Sequence, residues 1–161
     1  MTFDGLTGAH NKRAFQTALE REISRCQRYR RSMALAIFDI DHFKKINDEC
    51  GHLAGDAVLR QLAGLVMANV RREDVLARVG GEEFALIIPE LELGAARLVA
   101  EKLRGLIERT PCRFEDRTIP ITSSFGVAEL LLTPVMTGTE LYQVADERLY
   151  AAKRGGRNRV V

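Results

Sequence analysis

The sequence contains few cysteines and no long hydrophobic run. Its three cysteines are odd in number and widely spaced (Cys26, Cys50 and Cys112), which argues against a disulfide framework and against a zinc site. The longest unbroken apolar stretch, residues 33–38, is far shorter than the roughly 20 residues of a membrane-spanning helix. No basic segment followed by an apolar one opens the chain, as a signal peptide would require. We therefore expect reduced thiols, a cytoplasmic location and no membrane segment.

An excess of charge of one sign is also missing. Lys and Arg number 24 against 22 Asp and Glu, a formal net charge of +2, which is too balanced for a nucleic-acid-binding surface. Hydrophobic residues make up 46% and charged residues 29% of the 161 positions, the profile of an ordinary globular domain. Because there is no internal repeat and no Pro- or Ser-rich linker, we predict one domain over residues 1–161.

The spacing of apolar residues predicts four helices and four strands. The helices fall over about residues 11–30, 54–70, 95–106 and 141–152, the last one stopped by Gly155-Gly156. The strands fall over about residues 33–40, 75–79, 84–88 and 119–128. The first strand is apolar without alternation, as expected for a central strand buried on both faces. Strands separated by helices, with one hairpin through Gly80-Gly81, indicate a mixed sheet covered by helices.

Two aspartates lie at the end of the first predicted strand. Asp39 and Asp41 are two positions apart, so their side chains share one face of the strand. Strand ends are where open α/β sheets place their ligands. A carboxylate there needs a cation or hydrogen-bond donors, because its unpaired burial is costly. The alternative interpretation is that one of them, Asp41 rather than Asp39, caps a helix beginning at His42.

An acidic hairpin tip is predicted at Gly80-Gly81-Glu82-Glu83-Phe84. Adjacent glycines allow a tight turn and the close approach of a ligand, and adjacent glutamates point to opposite sides. Alone, this pentapeptide would most often be no more than a charged turn. Together with the acidic strand end, and without a His/Cys cluster, it favours Mg²⁺ over zinc, held by one or two carboxylates and by substrate phosphates.

Three basic residues complete this pattern, namely Lys44, Lys153 and Arg157. Phosphate oxygens near Mg²⁺ need such cations, which offset the negative charge that develops during phosphoryl transfer. Taken singly, each residue is better explained as a solvated lysine or as a cation at a helix C-terminus.

Together these residues resemble the GGDEF domain of the diguanylate cyclases, over nearly the whole chain. The matching blocks are residues 4–13, 38–48, 51–56, 78–84, 145–153 and 156–158. The family's fold is similar to that of nucleotide cyclases and the polymerase palm. The resemblance therefore implies an α+β domain (an α/β sandwich) with a central, mostly antiparallel five-stranded sheet wrapped by helices, plus a β-hairpin.

The resemblance also implies a reaction and a metal. Family members condense two GTP molecules into cyclic di-GMP and release two pyrophosphates, and they act as face-to-face homodimers. Two Mg²⁺ ions per GTP site are implied, with Mn²⁺ as the alternative ion, held by Asp39, the backbone carbonyl of Ile40 and Glu82. Asp39, Glu82 and Glu83 are the implied catalytic acids, and either glutamate is a candidate base for the attacking 3′-hydroxyl.

For the nucleotide, the resemblance assigns Asn47 and Asp56 to the guanine base. The Watson–Crick edge of guanine offers two adjacent donors that suit a carboxylate, and adenine lacks this pair. The phosphates are assigned to side chains and backbone near the acidic strand end and the C-terminus: His42, Phe43, Lys44, Lys153 and Arg157. The alternatives from the residues alone are a turn for Asn47 and a helix N-cap for Asp56.

A product-inhibition site is implied by Arg71 and Asp74, which match the family's Arg-x-x-Asp motif for cyclic di-GMP. Without the resemblance, a charged helix end would be the preferred interpretation. The family often has a second arginine in this site, which Lys102 replaces here. Because lysine lacks the planar fork of arginine, we expect product inhibition weaker than the full motif would give.

Two other functions compete with cyclisation of GTP. The first is a catalytically weak GGDEF domain that binds cyclic di-GMP or GTP as a regulatory module, although such relatives normally have damaged acidic motifs. The second is a cyclase that also accepts ATP, for which serine is usual at the position of Asp56. The family also implies an upstream sensor or receiver domain that brings two copies together.

Overall fold

The computed structural model describes all 161 residues of the chain. Five helices form: α1 (Lys12–Tyr29), α2 (Phe43–Cys50), α3 (His52–Ala68), α4 (Leu93–Glu108) and α5 (Gly138–Arg154). Six strands form: β1 (Met33–Ile40), β2 (Val75–Arg78), β3 (Glu83–Pro89), β4 (Cys112–Phe114), β5 (Arg117–Ile119) and β6 (Ser123–Glu129). None of the helices combines the length and the apolar character needed to cross a bilayer.

Strand β1 lies inside an antiparallel sheet of four strands, in the order β2-β3-β1-β6. All of its residues are buried, which confirms the predicted central strand. On one face, Phe38 stacks against Phe84 and Phe125 with ring centroids 5.7 and 4.5 Å apart, and α2, α3 and α4 cover this core. On the other face, Leu35 and Ile37 pack in a second core with α1 and α5. The predicted α+β class, with helices on both faces of the sheet, is confirmed.

The sheet differs in detail from the prediction. It has four strands and not five, because the C-terminal segment adds only a single bridge, between Val160 and Phe125. The strand predicted to begin at residue 119 begins at Ser123 as β6. Ile119 instead ends β5, which pairs with β4 in a separate two-stranded sheet. Pro120, which follows β5, has no N–H to donate to a continuous ladder.

Helix α5 is held close to the sheet at Gly126 of β6. A Cβ atom there would lie 2.1 Å from the carbonyl oxygen of Ala145 and 2.2 Å from the backbone nitrogen of Leu149. Any side chain at this position would therefore push the helix away from the sheet. A capping box formed by Thr137 and Glu140 starts the helix. Its last turn carries Lys153 to the end of β1, where the candidate site lies.

Candidate active site

Asp39 is a buried carboxylate at the end of the central strand. It is 3% exposed and shares a face of β1 with Leu35 and Ile37. One oxygen, Oδ2, is paired with the ammonium group of Lys153 from α5. The other, Oδ1, is buried and has no hydrogen-bond partner in the chain. A buried acceptor without a partner is costly, and it is therefore a natural ligand position for a cation.

Burial raises the pKa of Asp39 to about 6, and Lys153 offsets part of this effect because it stabilises the charged carboxylate. The negative charges of Glu82 and Asp41 also raise this pKa, which places all three acids at one end of the sheet. No three His, Cys, Asp or Glu side chains converge into a complete metal cage. Mg²⁺ does not need one, since one or two carboxylates and substrate phosphates hold it. The free oxygen of Asp39 and the neighbouring Glu82 fit this requirement.

Asp41 is a structural anchor and not a helix cap. Its carboxylate accepts hydrogen bonds from the hydroxyls of Thr122 (2.7 Å) and Ser124 (2.6 Å) and from the backbone N–H of Asn158 (3.0 Å). The residue at the N-terminus of α2 is His42, and no side chain caps this helix. The interpretation of Asp41 or Asp39 as a cap is therefore wrong. Through these three hydrogen bonds, Asp41 connects the end of β1 to β6, to the residue before it and to the C-terminal segment.

The predicted hairpin is formed by β2 and β3, and Glu82 lies in its turn. The guanidinium of Arg78 donates two hydrogen bonds to the carbonyl oxygen of Gly81, at 2.6 and 3.0 Å, and also pairs with Asp4 at 3.3 Å. The turn is thus fixed to the N-terminal segment. Glu82 is half-buried, and no hydrogen bond or ion pair within the chain engages its carboxylate, which leaves it available for a ligand.

Glu83 on β3 is paired with Asp39 on the neighbouring strand β1. It also has a hydrogen-bond partner that could not be predicted from the sequence. The phenol of Tyr142 on α5 donates a 2.6 Å hydrogen bond to Glu83 Oε1. Burial and the contact with Glu83 raise the pKa of Tyr142 above its ordinary value. No signal in the sequence links residues 59 positions apart, so only the packing of α5 reveals this contact.

A cavity of about 470 Å³ opens beside the hairpin turn. Nine residues line it: Phe43, Lys44, Asn47, His52, Asp56, Leu59, Arg78, Gly81 and Glu82. Helices α2 and α3 therefore bring the two residues predicted to read guanine next to Glu82 and Lys44. His52, Leu59 and Arg78 were not predicted as site residues, although His52 and Arg78 fall within the blocks that resemble the family.

The turn and the N-cap, the alternatives for the two residues predicted to read the base, are wrong. Asn47 lies inside α2 and not in a turn, and Asp56 is the fifth residue of α3, whose N-cap is Gly51. Neither side chain makes a hydrogen bond within the chain. Both therefore present unused hydrogen-bonding groups to the cavity.

The remaining predicted site residues lie outside the cavity lining. Ile40, whose carbonyl is a predicted metal ligand, is the last residue of β1. His42, a predicted phosphate contact, lies two positions further on and has a left-handed backbone (φ 54°). Arg157 lies beyond α5, also with a left-handed backbone (φ 65°). Its neighbour Asn158 is fixed by Asp41, as described above, so the fold restrains the backbone that carries Arg157.

Arg71 and Asp74 contact each other in a turn after α3, so the interpretation as a charged helix end is wrong. The guanidinium of Arg71 bonds Asp74 Oδ1 at 2.9 Å and the carbonyl oxygen of Pro89 at 2.6 Å. Arg71 remains 41% exposed along its side chain, against 2% for Asp74. Lys102 is exposed on α4, and no hydrogen bond or ion pair joins it to either residue.

The family model and two of the curated relatives that match this chain are described as diguanylate cyclases. The family model described as "Diguanylate cyclase, GGDEF domain" matches residues 1–159. Over 157 residues, 98% of the chain, the sequence is 42% identical to diguanylate cyclase DgcP of Pseudomonas aeruginosa, of which it spans 23%. It is 35% identical to diguanylate cyclase DgcS of Shewanella oneidensis, over 97% of the chain and 51% of the relative. The chain thus spans about a quarter to a half of the length of these curated relatives.

A solved structure shows the same fold. The GGDEF domain of DgcB from Caulobacter crescentus, in complex with c-di-GMP, superposes with a TM-score of 0.94 at 36% identity. The superposition covers 99% of the chain and 92% of that structure.

Proposed function

Because this chain belongs to the GGDEF domain family of diguanylate cyclases, we propose that it condenses two GTP molecules into cyclic di-GMP with release of two pyrophosphates. One structural arrangement carries this proposal. The free oxygen of Asp39 lies at the same end of the sheet as a cavity that combines Glu82, Lys44, Asn47 and Asp56. Metal ligands, a phosphate-binding cation and groups that read a base are thereby joined in one place.

The residues divide between the two ends of the nucleotide. Asn47 and Asp56 bind the guanine base, and Asp56 accepts hydrogen bonds from its Watson–Crick edge. Lys44, Lys153, Arg157 and the backbone at His42 and Phe43 bind the phosphates. Two Mg²⁺ ions, or Mn²⁺ in their place, would be held by Asp39, the carbonyl of Ile40 and Glu82. When bound, these ions polarise the α-phosphate and neutralise the charge of the leaving pyrophosphate.

The proposed chemistry forms two phosphodiester bonds. The 3′-hydroxyl oxygen of each GTP attacks the α-phosphorus of the other, and the bond from that phosphorus to pyrophosphate breaks. The proton of the hydroxyl passes to a carboxylate of the hairpin, Glu82 or Glu83. Since the proposed nucleotide site of each chain holds one GTP, we propose that two chains face each other and that the active form is a homodimer.

A turnover assay tests this function. Purified protein incubated with GTP and Mg²⁺ is expected to produce cyclic di-GMP and pyrophosphate, identified by chromatography. Because the active form is a homodimer, the rate per protein molecule should rise with protein concentration until the dimer is saturated. Absence of cyclic di-GMP at every protein concentration, together with binding of added cyclic di-GMP, would instead support the regulatory module.

We also propose that the product binds at Arg71 and Asp74. The exposed guanidinium of Arg71 is placed to contact a guanine and a phosphate, and Asp74 orients it through their shared hydrogen bonds. This site involves none of the residues that line the nucleotide cavity. Inhibition by cyclic di-GMP should therefore be non-competitive with GTP.

Replacing Arg71 by alanine should weaken cyclic di-GMP binding by about ten- to a hundredfold, because a charge-assisted hydrogen bond contributes roughly 1.5–3 kcal/mol. Calorimetric titration with cyclic di-GMP measures the change. Arg72→Ala is the matched control, since Arg72 is exposed and has no partner within the chain. Lys102→Arg should strengthen binding, because the second planar fork is restored. Equal affinities of wild type and Arg71→Ala would contradict the proposed site.

A further inference from the structure

Gly55 occupies a helical position where glycine is not the favoured residue. It is buried near the start of α3, and its φ angle is not in the left-handed region. Glycine in a helix interior costs up to about 1 kcal/mol relative to alanine. Neither backbone geometry nor helix stability therefore explains a glycine here, which leaves the space beside it as the physical reason.

That space is filled by the side chain of Asn47. A Cβ atom on Gly55 would lie 1.9 Å from Asn47 Oδ1 and 3.0 Å from Asn47 Cγ. It would also lie 3.1 Å from Cζ of Phe43, a neighbour that needs to yield only a few tenths of an ångström. The amide of Asn47 is thus in direct contact with the bare backbone of α3, and any larger residue at position 55 would displace it.

No hydrogen bond within the chain holds the amide of Asn47. Its position therefore depends on the shape of its surroundings, which include the space that a side chain at position 55 would fill. Asn47 and the next residue of α3, Asp56, both line the cavity. The missing side chain of Gly55 consequently leaves room for the amide of Asn47 at the point where α2 and α3 both contribute groups to the cavity.

We propose that Gly55 is a positioning residue for base recognition, which seats the amide of Asn47 so that it and Asp56 read guanine together. This inference rests on the proposed function, since it requires that Asn47 contact the base. Gly55 itself need not touch the nucleotide.

The test compares four variants for binding of a non-hydrolysable GTP analogue in the presence of Mg²⁺, by calorimetry, and for thermal unfolding. Gly55→Ala should weaken binding by about five- to tenfold, the loss expected for one hydrogen bond, without lowering the melting temperature. Gly64→Ala is the matched control, because Gly64 lies on the same helix with nothing within 4 Å of an added Cβ. It should bind as wild type does and melt at an equal or higher temperature. Asn47→Ala should weaken binding about as much as Gly55→Ala does.

The double variant, Gly55→Ala with Asn47→Ala, separates positioning from general damage to the fold. With the amide already removed, the added methyl group has little left to displace. The double variant should then bind no more weakly than Asn47→Ala, and it should fold even if Gly55→Ala alone does not.

The other outcomes distinguish the role of Gly55 from the assignment of Asn47. Normal binding by Gly55→Ala, together with weak binding by Asn47→Ala, would overturn the role of Gly55 and leave the proposed function standing. Further weakening in the double variant would show a general distortion and would also overturn this role. Normal binding by Asn47→Ala, or no binding by wild type, would overturn the assignment of Asn47 and, with it, this inference.

Discussion

Asp39→Asn is expected to lower the rate of cyclic di-GMP formation by about a thousandfold or more. A metal ligand stabilises the transition state by several kcal/mol, and each 1.36 kcal/mol is worth about tenfold in rate. Asparagine keeps the size of the side chain but removes the negative charge from the oxygen that lacks a partner in the chain. Steady-state turnover with GTP and Mg²⁺ is the measurement.

The fold should survive this substitution. Asp39 is a buried carboxylate that burial already destabilises in its charged form, so a neutral isostere removes a desolvation cost. Lys153, the ion-pair partner of Asp39, has a side chain that is 34% exposed, so water can solvate its ammonium group once the negative charge is removed. Asp116→Asn, an exposed aspartate in the turn between β4 and β5, is the control for charge removal. Near-normal turnover by Asp39→Asn, with an unchanged melting temperature, would refute the metal assignment.

Glu82→Gln should have an effect of similar size for the same reason. Its carboxylate has no partner within the chain and lines the cavity, so its removal should leave packing intact. If Asp39→Asn were inactive and Glu82→Gln fully active, Asp39 would hold the metal without a contribution from the hairpin.

The second large effect is expected at Asp56. Wild type should prefer GTP over ATP by several powers of ten, because a site built to hydrogen-bond one substrate rejects an analogue that lacks the matching groups. Asp56→Ser should lower kcat/KM for GTP by about ten- to a hundredfold, since the donors of guanine lose their charged acceptor. The value for ATP should not fall, and the preference should relax accordingly.

Competition between GTP and ATP, with all cyclic dinucleotide products separated by chromatography, measures this preference. Asp48→Ser is the matched control, because Asp48 is exposed on α2 and is absent from the cavity lining. Comparable amounts of cyclic di-AMP and cyclic di-GMP from wild type would show that Asn47 and Asp56 do not read the base.

Much of the fold was predictable from residue patterns, because these patterns express local physics. The uniformly apolar segment 33–40 became the buried central strand, and apolar positions at helical spacing became α1, α3, α4 and α5. The elements that were missed are short. Helix α2 has eight residues and strands β4 and β5 have three each, too few for a hydrophobic period to be recognised.

The different roles of the acidic residues could not be predicted from the sequence. Asp39 and Asp41 are chemically identical and two positions apart, and the sequence only favoured Asp41 over Asp39 as the residue that caps a helix. Only the fold separates them, because Thr122, Ser124 and Asn158 satisfy Asp41 from distant parts of the chain. Asp39 is left with one free oxygen.

By itself, the sequence determined the order and kind of the main elements, the acidic strand end, the acidic hairpin and the family. These properties depend on neighbouring residues and on short spacings. The tertiary structure alone decided which groups meet: Lys153 with Asp39, Tyr142 with Glu83, and Asn47 with the bare backbone of Gly55. Two of these contacts, Lys153 with Asp39 and Tyr142 with Glu83, join residues far apart in the chain. All three depend on how closely the helices pack, and a local sequence pattern does not predict this packing.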